Sequence, residues 1–275
     1  MHILKHPLSS WVLALCVTVA LPVFQLFSGG FLSAGIKPPH TENQPDTTLH
    51  GLIITSSGLH CALKNKKSHD RNNEIHLQSI YLPIASVSSF RGVEAAIGKA
   101  APDFIVVQGS ALVNNRKTTT ARHWMRQLKR YWIVTLSGIH PSVESTFIKL
   151  QCALQSLDKE RWSHWVKQGT DNRSNPTSED LNTRIEFINT LLEFNKPVFI
   201  VNQPHPQMAQ SYKTVVNNAV ARIIKSADAP DNVHQLDYTV VHRDSQFFDP
   251  YHPTPELTSI YIPWFNSRVI GQLQQ

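Results

Sequence analysis

The sequence predicts an α/β fold built on a central, mostly parallel sheet, and three observations predict it. Short apolar runs recur without polar alternation, at Leu49–Thr55, Pro102–Gln108 and Val198–Val201. Runs of that kind suit strands covered on both faces. Segments with helical patterning separate them, as a parallel sheet requires. Polar residues gather just beyond the runs, at Thr55-Ser56-Ser57, Gln108-Gly109-Ser110 and Asn202-Gln203. In open α/β sheets the ligand crevice lies at those carboxyl ends.

The N-terminal apolar helix comes first. Trp11 to Phe27 is about 17 residues of near-continuous apolar character, preceded by Lys5. This is long for a secretory signal core and short for a membrane span. Residues 1–34 therefore read as an uncleaved signal anchor or a cleaved signal peptide, with a buried soluble helix as the lesser alternative, and Pro22 is tolerated in a span. Either of the first two readings puts the rest of the chain outside the cytoplasm, because the positive flank is N-terminal. In a Gram-negative bacterium that is the periplasm. Residues 35–48, rich in Pro and polar side chains, read as a linker to a domain over 49–275.

Within the domain, Leu49–Thr55 is the first buried strand, with a turn and helix start at Ser56-Ser57-Gly58. Ser89 to Ala100 has helical pattern, and Pro102 to Gln108 forms the next strand. Ala121 to Tyr131 reads as a basic amphipathic helix, and Ser142 to Lys167 as a long helical region. Thr170 to Ser178 has the composition of a loop. Leu181 to Asn195 is a patterned helix ended by Lys196-Pro197. Val198–Val201 is the third strand and Tyr212 to Ser226 a further helix. Val233 to Val241 is a weaker strand, and a C-terminal helix follows Pro255.

A hydrophobic fraction of 41% and charged fraction of 17% exclude a disordered chain. Net charge is +6 with a pI near 9.3, which suits anionic partners such as a membrane surface or acidic polysaccharide. The basic residues are dispersed, clustering only at Lys64-Asn65-Lys66-Lys67 and between Arg116 and Arg130, without a nucleic-acid motif. No nucleic-acid partner is expected. Of three cysteines, Cys16 lies in the apolar run, and Cys61 and Cys152 are either one disulfide or two thiols. Fourteen histidines form no HExxH or HxH pair, so neither a metal nor another cofactor is expected.

The chemistry-bearing segment is Phe248-Asp249-Pro250-Tyr251-His252-Pro253-Thr254-Pro255-Glu256. Asp249 and His252, three residues apart, have the spacing of a carboxylate that orients an imidazole, the base half of a serine-hydrolase triad. Ser57, on a strand-to-turn junction, is the candidate nucleophile, with Ser56 as the alternative. The bland accounts are a Pro turn for Asp249–His252 and a helix cap for Ser57. His205, in Gln203-Pro204-His205-Pro206, lies where it would line the crevice. Trp124, Trp132, Trp162 and Trp165 suit sugar stacking or, at helical spacing, the core.

In order and context these motifs resemble the SGNH (GDSL-like) hydrolase family. Ile54 to Leu63 resembles its first block, with Ser57 as nucleophile, and Phe248 to Glu256 its last, with Asp249 and His252. Ser86 to Gly92 is similar to the second block and Pro102 to Asn115 to the third. The resemblance spans roughly residues 49 to 270. It implies a three-layer αβα sandwich of the SGNH/flavodoxin-like kind, and no cofactor. It also implies an oxyanion hole, for which the candidates are Gly92, Gly109, Gln108 and Asn114. Thr55 and Ser56 stand where the family has a small Gly and an Asp or Asn, and Gly109-Ser110-Ala111 where it has an Asn donor. The implied activity is an esterase or acyltransferase acting on an acylated carbohydrate or lipid. The alternative is a catalytically degenerate envelope scaffold or glycan-binding protein.

Overall fold

The computed structural model describes residues 48–55, 59, 75–81, 87–113, 161–174 and 177–275. The apolar helix over 1–34, most of the linker, the helix over 121–131, all three cysteines, and Ser56, Ser57 and Asn114 lie outside the described residues. Among the described residues no helix is long and apolar enough to cross a membrane.

The elements run β1 (Leu49–Thr55), β2 (Ile75–Tyr81), α1 (Val87–Ala100), β3 (Phe104–Gln108), α2 (Gly109–Leu112), α3 (Trp162–Ser174), α4 (Ser178–Leu192), β4 (Val198–Val201), α5 (Gln210–Lys225), β5 (Val233–Leu236), β6 (Phe247–Asp249), β7 (His252–Pro253) and α6 (Pro255–Leu273). The first five strands form one sheet in the order β2-β1-β3-β4-β5, every pairing parallel. The α/β class expected from the apolar runs is thus the fold. Register at the start of β1 and β3 is clamped by His50 and Asp103. The Asp103 amide donates to the His50 carbonyl at 2.7 Å, and the His50 amide donates to Asp103 Oδ2 at 2.8 Å.

Alternate residues of each strand point to opposite faces, and helices cover both. Leu52, Ile54, Ile105, Val107, Val198 and Ile200 pack with helices α1, α3, α4 and α5. Ile53, Phe104, Val106, Phe199 and Val201 pack with Tyr261, Ile262, Phe265 and Val269 of α6. The second face is the more aromatic. Phe104 and Phe199 meet edge-on at 5.8 Å, and Tyr238, Tyr261 and Trp264 form a cluster beside them.

Three expectations are corrected. The segment Thr170–Ser178 is mostly helix, because α3 continues to Ser174. Its polar side chains bond back to their own helix: Thr170 Oγ1 to the Val166 carbonyl, Ser174 Oγ to that of Thr170, and Arg173 Nη1 to that of Gly169. Helix α4 begins at Ser178 rather than Leu181. Thr177 caps it, exchanging hydrogen bonds with Asp180 in a capping box. Strand β5 stops at Leu236 rather than Val241. Strand β2 carries no strand expectation from the sequence. Its residues Ile-His-Leu-Gln mix apolar and polar side chains, as an edge strand with incompletely buried positions allows.

Candidate active site

The strand order places a switch point between β1 and β3, where the chain leaves one half of the sheet for the other. Crevices form beyond the carboxyl ends of the strands at such points. Four polar side chains meet there. Thr55, the last residue of β1, donates from Oγ1 to Gln108 Oε1 at 2.7 Å. Gln108, the last residue of β3, donates from Nε2 to Ser110 Oγ at 2.7 Å and to Gln203 Oε1 at 2.6 Å. Gln203, two residues past β4, donates from Nε2 to the Tyr251 carbonyl at 2.8 Å. Thr55, Gln108 and Gln203 are buried. Acceptors meet donors at every step, so each amide's orientation is dictated by its neighbours.

The Tyr251 carbonyl belongs to the loop that carries Asp249 and His252. Strands β6 and β7 pair antiparallel, with Asp249 opposite His252. Pro250 and Tyr251 make the turn, and the Tyr251 amide donates to Asp249 Oδ1 at 2.7 Å. A carboxylate that accepts from the amide two residues on forms an Asx turn. That turn leaves Oδ2 facing His252 Nδ1 at 2.6 Å. Asp249 is 1% exposed and His252 5%. A carboxylate at Nδ1 holds the proton on that nitrogen and makes Nε2 the basic one.

Helix α3 braces the loop from the other side. The Tyr251 hydroxyl donates to the Trp165 carbonyl at 2.8 Å. A Cβ at Gly169 would lie 2.6 Å from the Tyr251 hydroxyl oxygen, so glycine here makes room for the phenol. The Tyr251 ring packs on Tyr212, over which the Arg173 guanidinium sits at 4.9 Å.

The sequence-predicted residues divide. Asp249 and His252 are brought together. Gly109 opens α2, and a Cβ there would stand 2.6 Å from Asn202 Oδ1. Gly92 lies in the second turn of α1, where the helical ladder takes its amide. Gln108 spends both Nε2 hydrogens on Ser110 and Gln203. Ser57, Ser56 and Asn114 lie outside the described residues. Trp162 is core, packed with Phe247 and Leu257. His205 is fully buried beside Tyr212, and neither ring nitrogen has a hydrogen-bond partner among the described residues. The Gln203 backbone beside it favours the charged ring. Burial first, and then the nearby Lys213 ammonium, push its pKa down to about 3. Among the described residues no group of three His, Cys, Asp or Glu is placed to hold a metal ion.

Sequence reasoning placed Asn202-Gln203 at the crevice and Tyr251 within the Asp249–His252 segment, but assigned neither Gln203 nor Tyr251 a role, because their partners come from distant parts of the chain.

A crystal structure of a "putative acylhydrolase" from Bacteroides fragilis aligns with this chain at a TM-score of 0.48 and 10% identity, covering 92% of this chain and 98% of that one. No protein-family model matches the chain, and no curated protein matches it.

Proposed function

We propose that the chain is an SGNH-type serine esterase or acyltransferase. Its domain stands outside the cytoplasm, anchored through residues 1–34, and it acts on acyl esters of envelope carbohydrate. The observation that carries this reading is the buried 2.6 Å contact between His252 Nδ1 and Asp249 Oδ2, held by an Asx turn beside the carboxyl ends of a parallel sheet. A buried acid that fixes the imidazole tautomer is what a base needs before it can take a proton from a hydroxyl.

In this reading the Ser57 hydroxyl attacks the acyl carbonyl and its proton passes to His252 Nε2. Asp249 stabilises the imidazolium. The tetrahedral adduct then collapses, and the leaving alkoxide takes the proton from His252. Water or an acceptor hydroxyl, deprotonated by the same imidazole, releases the acyl group from serine.

The test uses full-length protein, a fluorophosphonate probe and a short aryl acetate. The expected result is covalent labelling and ester hydrolysis that both disappear in Ser57→Ala and in His252→Ala. Labelling that survives Ser57→Ala and disappears in Ser56→Ala moves the nucleophile by one residue. A wild-type protein that neither labels nor turns over ester defeats the enzyme reading.

One observation favours the degenerate scaffold or glycan-binding alternative: the commitment of both Gln108 amide hydrogens to protein partners, at the strand end where a side-chain oxyanion donor is wanted. Under that alternative, Ser57→Ala and His252→Ala leave cellular function intact.

A further inference from the structure

We propose that Thr55, Gln108 and Gln203 form a buried positioning relay that sets the orientation of His252 by holding the peptide on which it is mounted. This role rests on the reading of Asp249 and His252 as the base side of a triad. The relay begins at the end of β1, crosses the switch point to the end of β3, continues beyond β4, and ends on the carbonyl of the Tyr251–His252 peptide bond. The same residue's amide holds Asp249 Oδ1. Tyr251 is therefore gripped at both ends of its backbone, with the acid on one side of it in sequence and the imidazole on the other.

Three features separate this arrangement from ordinary loop bonding. Every relay side chain is buried, so water cannot stand in for a lost partner without rearrangement. Every bond runs in one direction, donor to acceptor, from Thr55 towards Tyr251, so neither amide can flip without setting two donors or two acceptors against each other. The relay also ends on the loop's backbone and not on a catalytic side chain. It can move the imidazole without touching substrate, which makes its members positioning residues.

The experiment follows the His252 Nδ1 proton by NMR in the full-length chain. A proton held between Nδ1 and a carboxylate 2.6 Å away resonates far downfield, and His252→Ala identifies the signal by its loss. The expected result is a downfield signal in the wild type that moves upfield or broadens away in Gln203→Met, a variant of similar shape without the amide. Fluorophosphonate labelling slows in parallel by about ten- to a hundredfold, the penalty of a misplaced reacting group. Thr55→Val, which deletes the first hydrogen bond of the relay, shifts the signal less and serves if Gln203→Met fails to fold. A folded Gln203→Met or Thr55→Val whose downfield signal matches the wild type overturns the relay, as does a wild type without the signal. If the wild type shows the signal and Gln203→Met loses it, but no variant labels, the relay stands and the enzyme reading falls.

Discussion

Gln203 and His205 are two residues apart in one short loop beyond β4, and both are buried at 2% exposure. Their circumstances are opposite. Gln203 accepts from Gln108 and donates to the Tyr251 carbonyl. His205 has no partner for either ring nitrogen among the described residues, and its Nδ1 and Nε2 are closed off beside Tyr212. A satisfied buried polar group specifies geometry, whereas an unsatisfied one subtracts stability. The contrast separates what the loop contributes to the site from what it costs the fold.

The largest expected effect tests the acid–imidazole pair that the relay positions. Asp249→Asn should lower the rate of serine labelling by about 10⁴-fold while the protein stays folded, because an amide at Nδ1 favours the wrong imidazole tautomer. A rate within tenfold of wild type, with an unchanged melting curve, would show that the Asp249–His252 pair on the loop held by Gln203 does not carry the chemistry.

Next in size is Gln203→Glu. It sets a carboxylate oxygen against the Tyr251 carbonyl, and urea unfolding at neutral pH should show a loss of about 3 kcal/mol, typical of an uncompensated buried charge. Equal stability of Gln203→Glu and wild type would mean the relay is wet.

His205 should behave in the reverse sense. Its folded pKa is about 3 against 6.5 unfolded, so below pH 6.5 the unfolded chain takes up a proton that the folded one refuses. Stability is then complete above that value and declines as pH falls towards 3. His205→Leu should flatten this acid limb and raise stability at pH 7 by about 1–2 kcal/mol, since an unpaired polar group leaves the core. Urea midpoints at pH 7.5 and 5 provide the comparison, and a parallel decline in both proteins would give His205 a hidden partner.

The smallest effect is Gly169→Ala. Alanine favours a helix interior by about 1 kcal/mol, but its Cβ would crowd the Tyr251 hydroxyl at 2.6 Å. A net loss of under about 1 kcal/mol with a few-fold slower labelling is expected. A more stable variant with unchanged labelling would show that Tyr251 does not transmit strain to His252.

The fold was legible wherever burial was complete. Strands β3 and β4, and β1 from Leu52 to Ile54, carry unbroken apolar runs because both faces are covered there, and the bounds of these strands were read closely. Strand β2, at the sheet edge, mixes His76 and Gln78 with its apolar residues and offers no such run. The polar end of α3 looked like a loop because composition cannot show that Thr170 and Ser174 bond back to their own helix. At the site, the Asp249–His252 pair was legible because an Asx turn is complete within three residues. The relay was not, because its contacts join residues 53, 95 and 48 positions apart. No local pattern marks a glutamine whose partners are supplied by other strands.

Helix α6 has a consequence for the order in which the chain can fold. Its residues pack against Phe104, Val106, Phe199 and Val201, which precede it in the chain by more than fifty residues. Until Pro255–Leu273 has been made, the strands can dock against α1, α4 and α5, but they lack the cover that α6 gives the aromatic side of the sheet. A nascent chain without α6 therefore exposes apolar surface that the folded chain covers, the kind of species that binds holdase chaperones or aggregates. Shortening the chain before Pro255 should make that transient state permanent.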